Sequence, residues 1–389
     1  MTLLQKIGAV ISRELRIIIQ RPVYIVGSVG VVAFCSLFFL TLLSKGLPED
    51  IPIAVVDLDN SSTSRSFFEQ LDATQIGSSV AYETFAEARE DMINGRVAGI
   101  CVLPRGFNSD IQSSRQPKIT FYTNGLYFVS GSLAWKDILQ MVNLTSGAVQ
   151  RKILRLKGYN EAQIMGLIKP IYIDTHQIGN TQTNYNYLLS GMLIPAVIAM
   201  CAMMILIYSL GSEMKFGTSR HLLKTAGESM GAAILGQALL CAAVFSMLGF
   251  SIIILLYHRL HFPIAGSIWN MFLNMFLLII SSESVAVLLI EMIPIPRLAM
   301  SLGALFSVMS MSLAGFTLPT ETMPRIIRAF EGMFPLRHYY LFYCQEVNFG
   351  TGFAGWWMEV VKYLLYLFIP LIGLRRLEKA YIHQNFPKD

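Results

Sequence analysis

VYIVGSVGVVAFCSLFFLTLL, residues 23–43, decides the fold class of this chain. The stretch has no charged residue and matches the ~20 apolar residues that cross the ~30 Å hydrocarbon layer of a membrane. A long polar excursion follows it, and then five more apolar stretches. The sequence therefore predicts a polytopic α-helical membrane protein with six spans, at 23–43, 187–211, 231–257, 267–291, 298–318 and 355–374.

Composition and charge agree with a membrane location. Hydrophobic residues make up 54% of the chain and charged residues 14%, against about 25% charged in a soluble domain. Basic residues cluster in three segments that share one side if there are six spans, and this side is expected to be the cytoplasm. These residues are Lys6, Arg13, Arg16 and Arg21; Lys215, Arg220 and Lys224; and Arg375, Arg376, Lys379 and Lys388. The net charge of +5 is thus a topology signal and gives no support for nucleic-acid binding.

The predicted location is the plasma membrane, or the inner membrane in a cell with two membranes, with both termini cytoplasmic. The first span lacks the compact apolar core and small-residue cleavage site of a signal peptide, so we expect it to stay as an anchor. A tail at residues 375–389 follows the sixth span.

The excursion at residues 44–186 is predicted to be an extracytoplasmic α/β domain inserted between the first two spans. Strand-like runs at 51–56, 79–82, 97–103 and 118–122 alternate with helical patterns, which indicates βαβ units and a partly parallel sheet. A long helix is expected at 126–157. Asp57, Asp59 and Asn60 after the first strand fit either a capped turn, which we favour, or a metal site.

Five cysteines are scattered through the chain without the spacing of a metal site. Three lie in predicted spans, where a cysteine serves as a small apolar residue. Cys101 and Cys344 lie outside the predicted spans, and a disulfide between them is left open.

Residues 1–22 have an amphipathic pattern. Leu4, Ile7, Ile11, Leu15 and Ile18 recur at steps of three or four, and Lys6, Arg13 and Gln20 lie elsewhere on the helical wheel. The pattern favours a helix lying in the cytoplasmic membrane interface. The alternative is a straight cytoplasmic extension of the first span.

A short charged segment, 212–230, follows the second span. Its core is GSEMKFGTSRHLLKT (residues 211–225). A short helix with exposed charges and a Leu-Leu edge is suited to fill a groove on a partner protein. The alternative is an ordinary basic loop.

Residues 319–350 form a segment with three prolines, Pro319, Pro324 and Pro335. Prolines at this density break helices into short pieces. Irregular backbone at membrane depth is tolerated where protein shields it or a cavity adjoins it, so we expect a re-entrant stretch that caps a translocation route on the outer side. Arg325, Arg328 and Glu331 leave open a wet extracellular loop for part of it.

These two segments, in this order and with one large domain after the first span, resemble the permease subunits of type-2 ATP-binding-cassette (ABC) exporters. That family carries E-x-x-x-G-T-x-x-x-L-L-x-T-P after the second span, matched here by Glu213, Gly217, Thr218, Leu222, Leu223 and Thr225, with Ala226 at the proline position. Its later S-G-x-x-x-P-x-x-x-M-P pattern is matched by Gly315, Pro319, Met323 and Pro324, with Ala314 at the serine position, and Pro335 lies in a segment similar to its N-P-L-x-Y. Residues 55–64 resemble the opening of the outer domain in the multidrug branch.

The resemblance implies roles for both sets of residues. The first set would couple the permease to an ABC ATPase dimer on the cytoplasmic face, and the second set would form an outer gate. A second permease chain, identical or related, would complete the pathway, and a periplasmic adaptor would join it in a cell with two membranes. The expected substrate is hydrophobic or amphipathic, a drug or a lipid, exported by alternating access.

We expect no catalytic residues, no metal and no directly bound cofactor in this chain. The dipeptide Gly-Lys does not occur, so the phosphate-binding loop of ATPases is not found in these residues. ATP and Mg²⁺ are expected in the partner ATPase.

Glu283 is the one carboxylate deep in a predicted span, and such a group usually faces a cavity or a partner. It is a candidate for the substrate path or for a subunit interface. The alternative is a protonated or serine-bonded structural glutamate.

Two further functions are weighed against the exporter. A membrane-anchored receptor with a ligand-binding outer domain would need a cytoplasmic output domain, which no stretch of the sequence resembles. An ion-coupled secondary transporter predicts inverted repeats and several intramembrane charges, which the sequence does not display.

Overall fold

A computed structural model of the chain describes residues 2–74, 76–113, 115–169, 174, 176, 178–181 and 183–383. The chain divides into two compact units. The helical unit contains the chain up to Ser44 and from Gln177 onward, and the sheet unit is Lys45–His176. Met1 and residues 384–389, which belong to the predicted segments 1–22 and 375–389, lie outside the described residues, as does Lys388.

The helical unit begins with helix α1, Leu3–Gln20, capped by Thr2. The chain then turns at Arg21 into a helix made of α2 (Pro22–Ile25), a π-helical turn (Val26–Gly30) and α3 (Val31–Leu42). Pro22 occupies the first helical position of α2, where its missing N–H breaks no hydrogen bond. The break at Arg21 separates α1 from the first span, so α1 is not a straight continuation of it.

The sheet unit alternates strands and helices: β1 (Ile51–Asp57), α4 (Ser62–Asp72), β2 (Gly77–Tyr82), α5 (Phe85–Ile93), β3 (Gly99–Leu103), α6 (Phe107–Gln112) and β4 (Thr120–Thr123). The strand order is β2-β1-β3-β4. β1 is parallel to β2 and to β3, and β4 is antiparallel to β3. The long helix α7 is Phe128–Leu156, and the short α8, Glu161–Ile168, follows it.

The two faces of the sheet bury alternate residues of β1, as the period of two of a strand requires. Ile53 and Val55 pack beneath Phe67, Phe107 and residues of α7. Ala54 and Val56 pack on the other face, against Ala88 of α5. The sheet is therefore covered on both sides.

The Asp57–Asn60 turn is stabilised by its own side chains. Asp57 Oδ1 accepts hydrogen bonds from the Asp59 and Asn60 amides at 3.0 and 3.1 Å. Asp59 accepts from the Gly106 and Asn108 amides. The pKa of Asp59 is lowered, chiefly by a hydrogen bond from Ser61. This is the capped turn, and none of the described residues form a cluster suited to hold a metal.

The helical unit resumes with α9 (Tyr185–Lys215), α10 (Ser219–Thr225), α11 (Met230–Ile253) with a π-helical extension to Arg259, α12 (Ile268–Met292), α13 (Pro296–Leu313), α14 (Arg325–Glu331), α15 (Pro335–Tyr343), α16 (Phe353–Tyr366) and α17 (Leu374–His383). Short 3₁₀ turns lie at Thr320–Thr322 and Ile369–Leu371, and a π-helical turn at Cys344–Asn348. α9 and α12 are the most buried of the long helices, so they form the centre of the unit.

Six helices of the described chain are long and apolar enough to cross a membrane: Pro22–Leu42, Tyr185–Lys215, Met230–Arg259, Ile268–Met292, Pro296–Leu313 and Phe353–His383. They agree with the predicted polytopic α-helical membrane protein. The fifth and sixth spans differ from their predicted bounds. The helix predicted to reach residue 318 stops at Leu313, before Gly315 with φ +101°. The helix predicted for 355–374 is interrupted near Pro370, which has no N–H to donate.

All five cysteines lie within the described residues and carry free thiols. The disulfide between Cys101 and Cys344 that the sequence left open is therefore not present in this structure. Burial raises the pKa of the Cys101 thiol to about 12, which keeps it in the unreactive protonated form at neutral pH.

Candidate functional site

α1 has an inner face packed on the helical unit and an outer apolar stripe. Val10 is fully buried against α11 at Gly236, where an added Cβ would meet the Val10 side chain at 2.6 Å. Leu4, Leu15 and Ile19 form the exposed stripe, with Ile11 and Ile18 half-buried beside it. This is the arrangement expected of a helix in a membrane interface.

The basic residues on the inner edge of α1 bind the end of α9 and the segment that follows it. Lys6 Nζ donates to the Gly227 carbonyl at 3.0 Å. The Arg13 guanidinium donates to both carboxylate oxygens of Glu213, each at 2.9 Å. Lys6 and Arg13 are seven residues apart, two helical turns, and therefore share a face. The sequence places these two residues off the apolar face. The structure adds that they connect α1 to Gly227 and Glu213 by hydrogen bonds.

Glu213 is the centre of this cluster. Its carboxylate also accepts from the Thr218 hydroxyl at 2.7 Å. Glu14, on the inner face of α1, contacts Arg13 as well and accepts from Ser209 at 3.4 Å. Two buried carboxylates thus share one guanidinium. The pKa of Glu14 is raised, first by burial, and the neighbouring charge of Glu213 adds to the effect.

The spacing of Glu213, Gly217 and Thr218 has a local structural reason. α9 ends in a Schellman motif, in which the Thr218 amide donates to the Glu213 carbonyl at 2.9 Å and the Gly217 amide to the Met214 carbonyl at 3.2 Å. Gly217 takes φ +68°, a conformation that glycine adopts without strain. The motif reverses the chain and returns Thr218 to the carboxylate of Glu213.

α10 is held from its other side by α17, which the sequence assigns only to a tail. The Ser219 hydroxyl donates to the Tyr381 carbonyl at 2.9 Å, and the buried Tyr381 hydroxyl donates to the Leu210 carbonyl at 2.8 Å. Arg220 donates to the Ile382 carbonyl. Helices α1, α9, α10 and α17 are therefore joined at one end of the helical unit, and we call this set of contacts the coupling cluster.

Leu222 and Leu223 do not form the exposed edge that the sequence suggests. Leu222 is 0% exposed and Leu223 9% exposed, because α10 turns this side toward the core. Thr225 closes the helix by donating to the His221 carbonyl at 2.9 Å. The side that faces outward is basic, and we call it the basic face of α10: Arg220, His221 and Lys224.

The predicted gate residues lie on the short pieces between α13 and α15. Pro319 precedes the 3₁₀ turn, Pro324 precedes α14, and Pro335 is the first residue of α15. Met323 is half-buried and its amide donates to the Thr320 carbonyl at 3.1 Å. The structure therefore has short helical pieces here, as proline density predicts.

Arg337, which the sequence did not single out, organises this region. It is buried and donates to the Ala314 carbonyl and to the Thr320 hydroxyl, both at 3.0 Å. Its guanidinium lies so close to Gly315 that an added Cβ would collide with it. Arg337 thus joins the start of α15 to the end of α13.

A second buried set joins α15 to α16. His338 Nδ1 lies 2.7 Å from Glu359 Oε2, and its Nε2 lies 3.1 Å from the Gly332 carbonyl. Tyr366 donates to the same carbonyl at 3.1 Å, and Lys362 donates to Glu359 at 2.8 Å. The region that contains the predicted gate is therefore fixed to both of its neighbouring spans.

Glu346 is a further buried carboxylate that sequence reasoning missed. It accepts from the Ser267 amide at 2.6 Å, from Asn270 Nδ2 at 2.8 Å and from Trp356 Nε1 at 2.8 Å. Negative charge is favourable at a helix N-terminus, and Ser267 caps α12. No local pattern could have identified Glu346, since two of its three partners, Ser267 and Asn270, lie 79 and 76 residues away.

Glu283 lies in the interior of the helical unit. It is buried on α12 and faces Cys241 of α11. Its Oε1 has no hydrogen-bond partner within the described chain. The carboxylate is therefore enclosed by helices of its own chain.

Comparison with known proteins identifies the family. No individually curated protein matches the chain significantly. The family model described as ABC-2 family transporter protein matches residues 22–374. This match covers nearly the whole chain and confirms the resemblance at the level of the family. The chain therefore belongs to the ABC-2 family of transporter membrane proteins.

Proposed function

We propose that this chain is the permease of an ATP-driven exporter that moves a hydrophobic or amphipathic substrate outward across the plasma or inner membrane. Membership of the ABC-2 family makes it the membrane permease subunit of an ABC transporter. Permeases of this family carry no nucleotide-binding domain of their own, so the family implies a partner ABC ATPase. The direction of transport, the substrate class and the docking face are the parts that we add.

The observation that carries the proposal is the coupling cluster. Arg13 joins α1 to Glu213, and Tyr381 joins α17 to α9. A force applied to α10 would therefore reach the central helix α9 through short, buried contacts, because packed interiors transmit displacement rather than absorb it. This is what coupling to an ATPase requires.

We place the ATPase dimer on the basic face of α10, at the cytoplasmic side. The two leucines of the family pattern, Leu222 and Leu223, hold α10 on the permease and support the docking face from behind. Glu213, Gly217, Thr218 and Thr225 shape the chain reversal and the helix. ATP and Mg²⁺ would be bound by the ATPase.

The export path would lie between two permease chains, identical or related. The segment held by Arg337, with Gly315, Pro319, Met323, Pro324 and Pro335, would form its outer gate. Glu283 would meet substrate only in a state in which α11 and α12 separate, since it is enclosed in this one. The sheet unit would lie outside the cytoplasm and, in a cell with two membranes, would contact a periplasmic adaptor.

Docking can be tested without disturbing the core. We expect His221→Glu/Lys224→Glu, expressed with the ABC ATPases of the same cell, to lose the co-purifying ATPase, because both side chains are exposed and two negative charges on a basic docking face would be repulsive to its partner. The matched control is Arg89→Glu/Lys157→Glu, which reverses two exposed charges on the sheet unit.

ATPase recovery that is the same for both double variants would contradict docking on α10. A wild-type preparation that never contains an ATPase would instead favour the receptor or the ion-coupled transporter. Leu222→Asp is unsuitable for this purpose, since a charge at a fully buried position would disrupt the fold itself.

A further inference from the structure

The sheet unit contains a groove that no part of the transport proposal uses. It lies between α4, α6 and α7 and has a volume of about 620 Å³. Pockets of about 300–1,000 Å³ are of the size that takes small organic molecules. The Thr145 hydroxyl donates to Gln70 Oε1 at 3.0 Å. This hydrogen bond joins α7 to α4 and fixes the spacing of the two helices.

The floor of the groove is apolar and aromatic. Phe67 and Phe107 are buried and meet edge to face, with ring centroids 6.2 Å apart and an interplanar angle of 67°. Met141 extends the floor along α7. Aromatic faces and thioether sulfurs are polarisable surfaces that attract cations as well as apolar groups.

The wall contains one carboxylate. Asp137 lines the groove and is half-buried. Its Oδ2 turns inward toward Gly77, where it is buried without a hydrogen-bond partner among the described residues. Burial of a carboxylate oxygen is costly unless a donor or a cation compensates it. Among the described residues, Lys152 is the one basic residue that lines the groove, but it lies 15 residues further along α7, which is about 22 Å at 1.5 Å per residue.

We propose that this groove binds an organic cation with an apolar body, such as an aryl- or alkyl-substituted ammonium, with its positive charge beside Asp137 and its body on Phe67, Phe107 and Met141. The hydroxyl and amide groups of the rim, including Thr63 and Gln70, would face the polar substituents of such a ligand. The site is separate from the coupling cluster, and its existence does not depend on the proposed export function.

The test uses the full chain in detergent, without ATPase or nucleotide, and rhodamine 6G as the cationic probe. Fluorescence anisotropy is measured against protein-free micelles. We expect saturable binding that Asp137→Asn weakens about tenfold or more, since bonds to a charged group are the stronger ones. We expect the same loss from Ala148→Trp, which places a large side chain in the groove from an exposed position on α7.

Each variant has a matched control. Asp174→Asn removes an exposed carboxylate elsewhere in the sheet unit, and Ser146→Trp adds the same bulk at an exposed position of α7 that does not line the groove. Both should bind rhodamine 6G as wild type does. Absence of saturable binding to wild type, or wild-type affinity in either Asp137→Asn or Ala148→Trp, would overturn the proposal. Because no ATPase is present, such a failure leaves the export proposal untouched.

Discussion

Arg13 and Glu213 form a two-pronged ion pair across 200 residues of sequence, with both N···O distances at 2.9 Å. Both side chains are largely buried, at 14% and 4% exposed. Only a guanidinium can donate two parallel hydrogen bonds to one carboxylate. The pair therefore fixes both the position and the orientation of α1 on the end of α9.

This pair should be measurable as a coupling energy. We expect Arg13→Gln to destabilise the protein by about 3 kcal/mol, because it leaves the buried carboxylates of Glu14 and Glu213 without their cation. Glu213→Gln should cost less, because Arg13 keeps its contact with Glu14. The double variant should lose less than the sum, with an interaction energy of about 0.5–3 kcal/mol. Unfolding in detergent measures all three, and strict additivity would show that the two residues act independently.

Glu14 should make stability depend on pH. Burial raises its pKa in the folded protein above the value of about 4.3 in an unfolded chain. The folded state therefore holds this proton more tightly, and the contribution to stability is complete below the unfolded pKa and lost as the pH rises through the folded pKa. We expect Glu14→Gln to gain stability relative to wild type as the pH rises from about 4 toward neutrality.

The readout is the difference in Tm between Glu14→Gln and wild type across the pH series. Its slope is diagnostic, since any change in packing that does not involve ionisation shifts the curve by a constant. Ser12→Ala, at an exposed position of α1, removes no titratable group and should show no slope. A difference for Glu14→Gln that does not vary with pH would refute the assignment.

The close contact between Gly315 and Arg337 should make the candidate gate sensitive to any side chain at position 315. Gly315→Ala places a Cβ at φ +101° and against the Arg337 guanidinium. The left-handed backbone alone costs about 1–2 kcal/mol for a residue with a Cβ. Transport should fall while ATPase binding is retained, because the coupling cluster is not altered.

The control for this variant is Gly332→Ala, in the same segment. Gly332 has φ −67° and nothing within 4 Å of an added Cβ. Substrate efflux and ATPase recovery are measured for both variants. Equal efflux in the two would remove Gly315 from the gate proposal.

Glu283→Gln tests the substrate-path proposal. The amide keeps the shape of the side chain, so the fold and the basal ATPase activity should be unchanged. Efflux of substrate should fall if the carboxylate meets substrate in another state. Unchanged efflux would assign Glu283 to packing beside Cys241.

Periodic patterns predicted much of the fold because they are local. The apolar stripe of residues 4–18 and the charge-free stretch 23–43 each indicate one helix, and the structure has α1 and Pro22–Leu42 there. Helix ends were less predictable. Apolar residues continue past Leu313 to Leu318, but the helix stops because Ala314 and Gly315 are held by Arg337.

The site was predictable in part. The motif residues from Glu213 to Thr225 lie close together, as a continuous motif requires, but the motif does not tell which side of α10 packs on the core. A seven-residue helix such as α10 has too few turns for a pattern to tell which side packs on the core. Leu222 was therefore placed on the wrong side. Glu14, Arg337 and Glu346 were missed because each has at least one partner on another helix or turn that is distant in sequence, and only the tertiary fold brings these groups together.

The coupling cluster also constrains the order in which the protein can be assembled. Arg13 is synthesised 200 residues before Glu213. Tyr381 is synthesised 171 residues after Leu210, whose carbonyl accepts its hydrogen bond. α1 must therefore remain without its Glu213 contact while α2, α3, the sheet unit and most of α9 are made. A chain released before residue 381 would insert its first spans but would lack the two hydrogen bonds that Tyr381 makes with Leu210 and Ser219, so α10 would not yet be joined to the C-terminal helix.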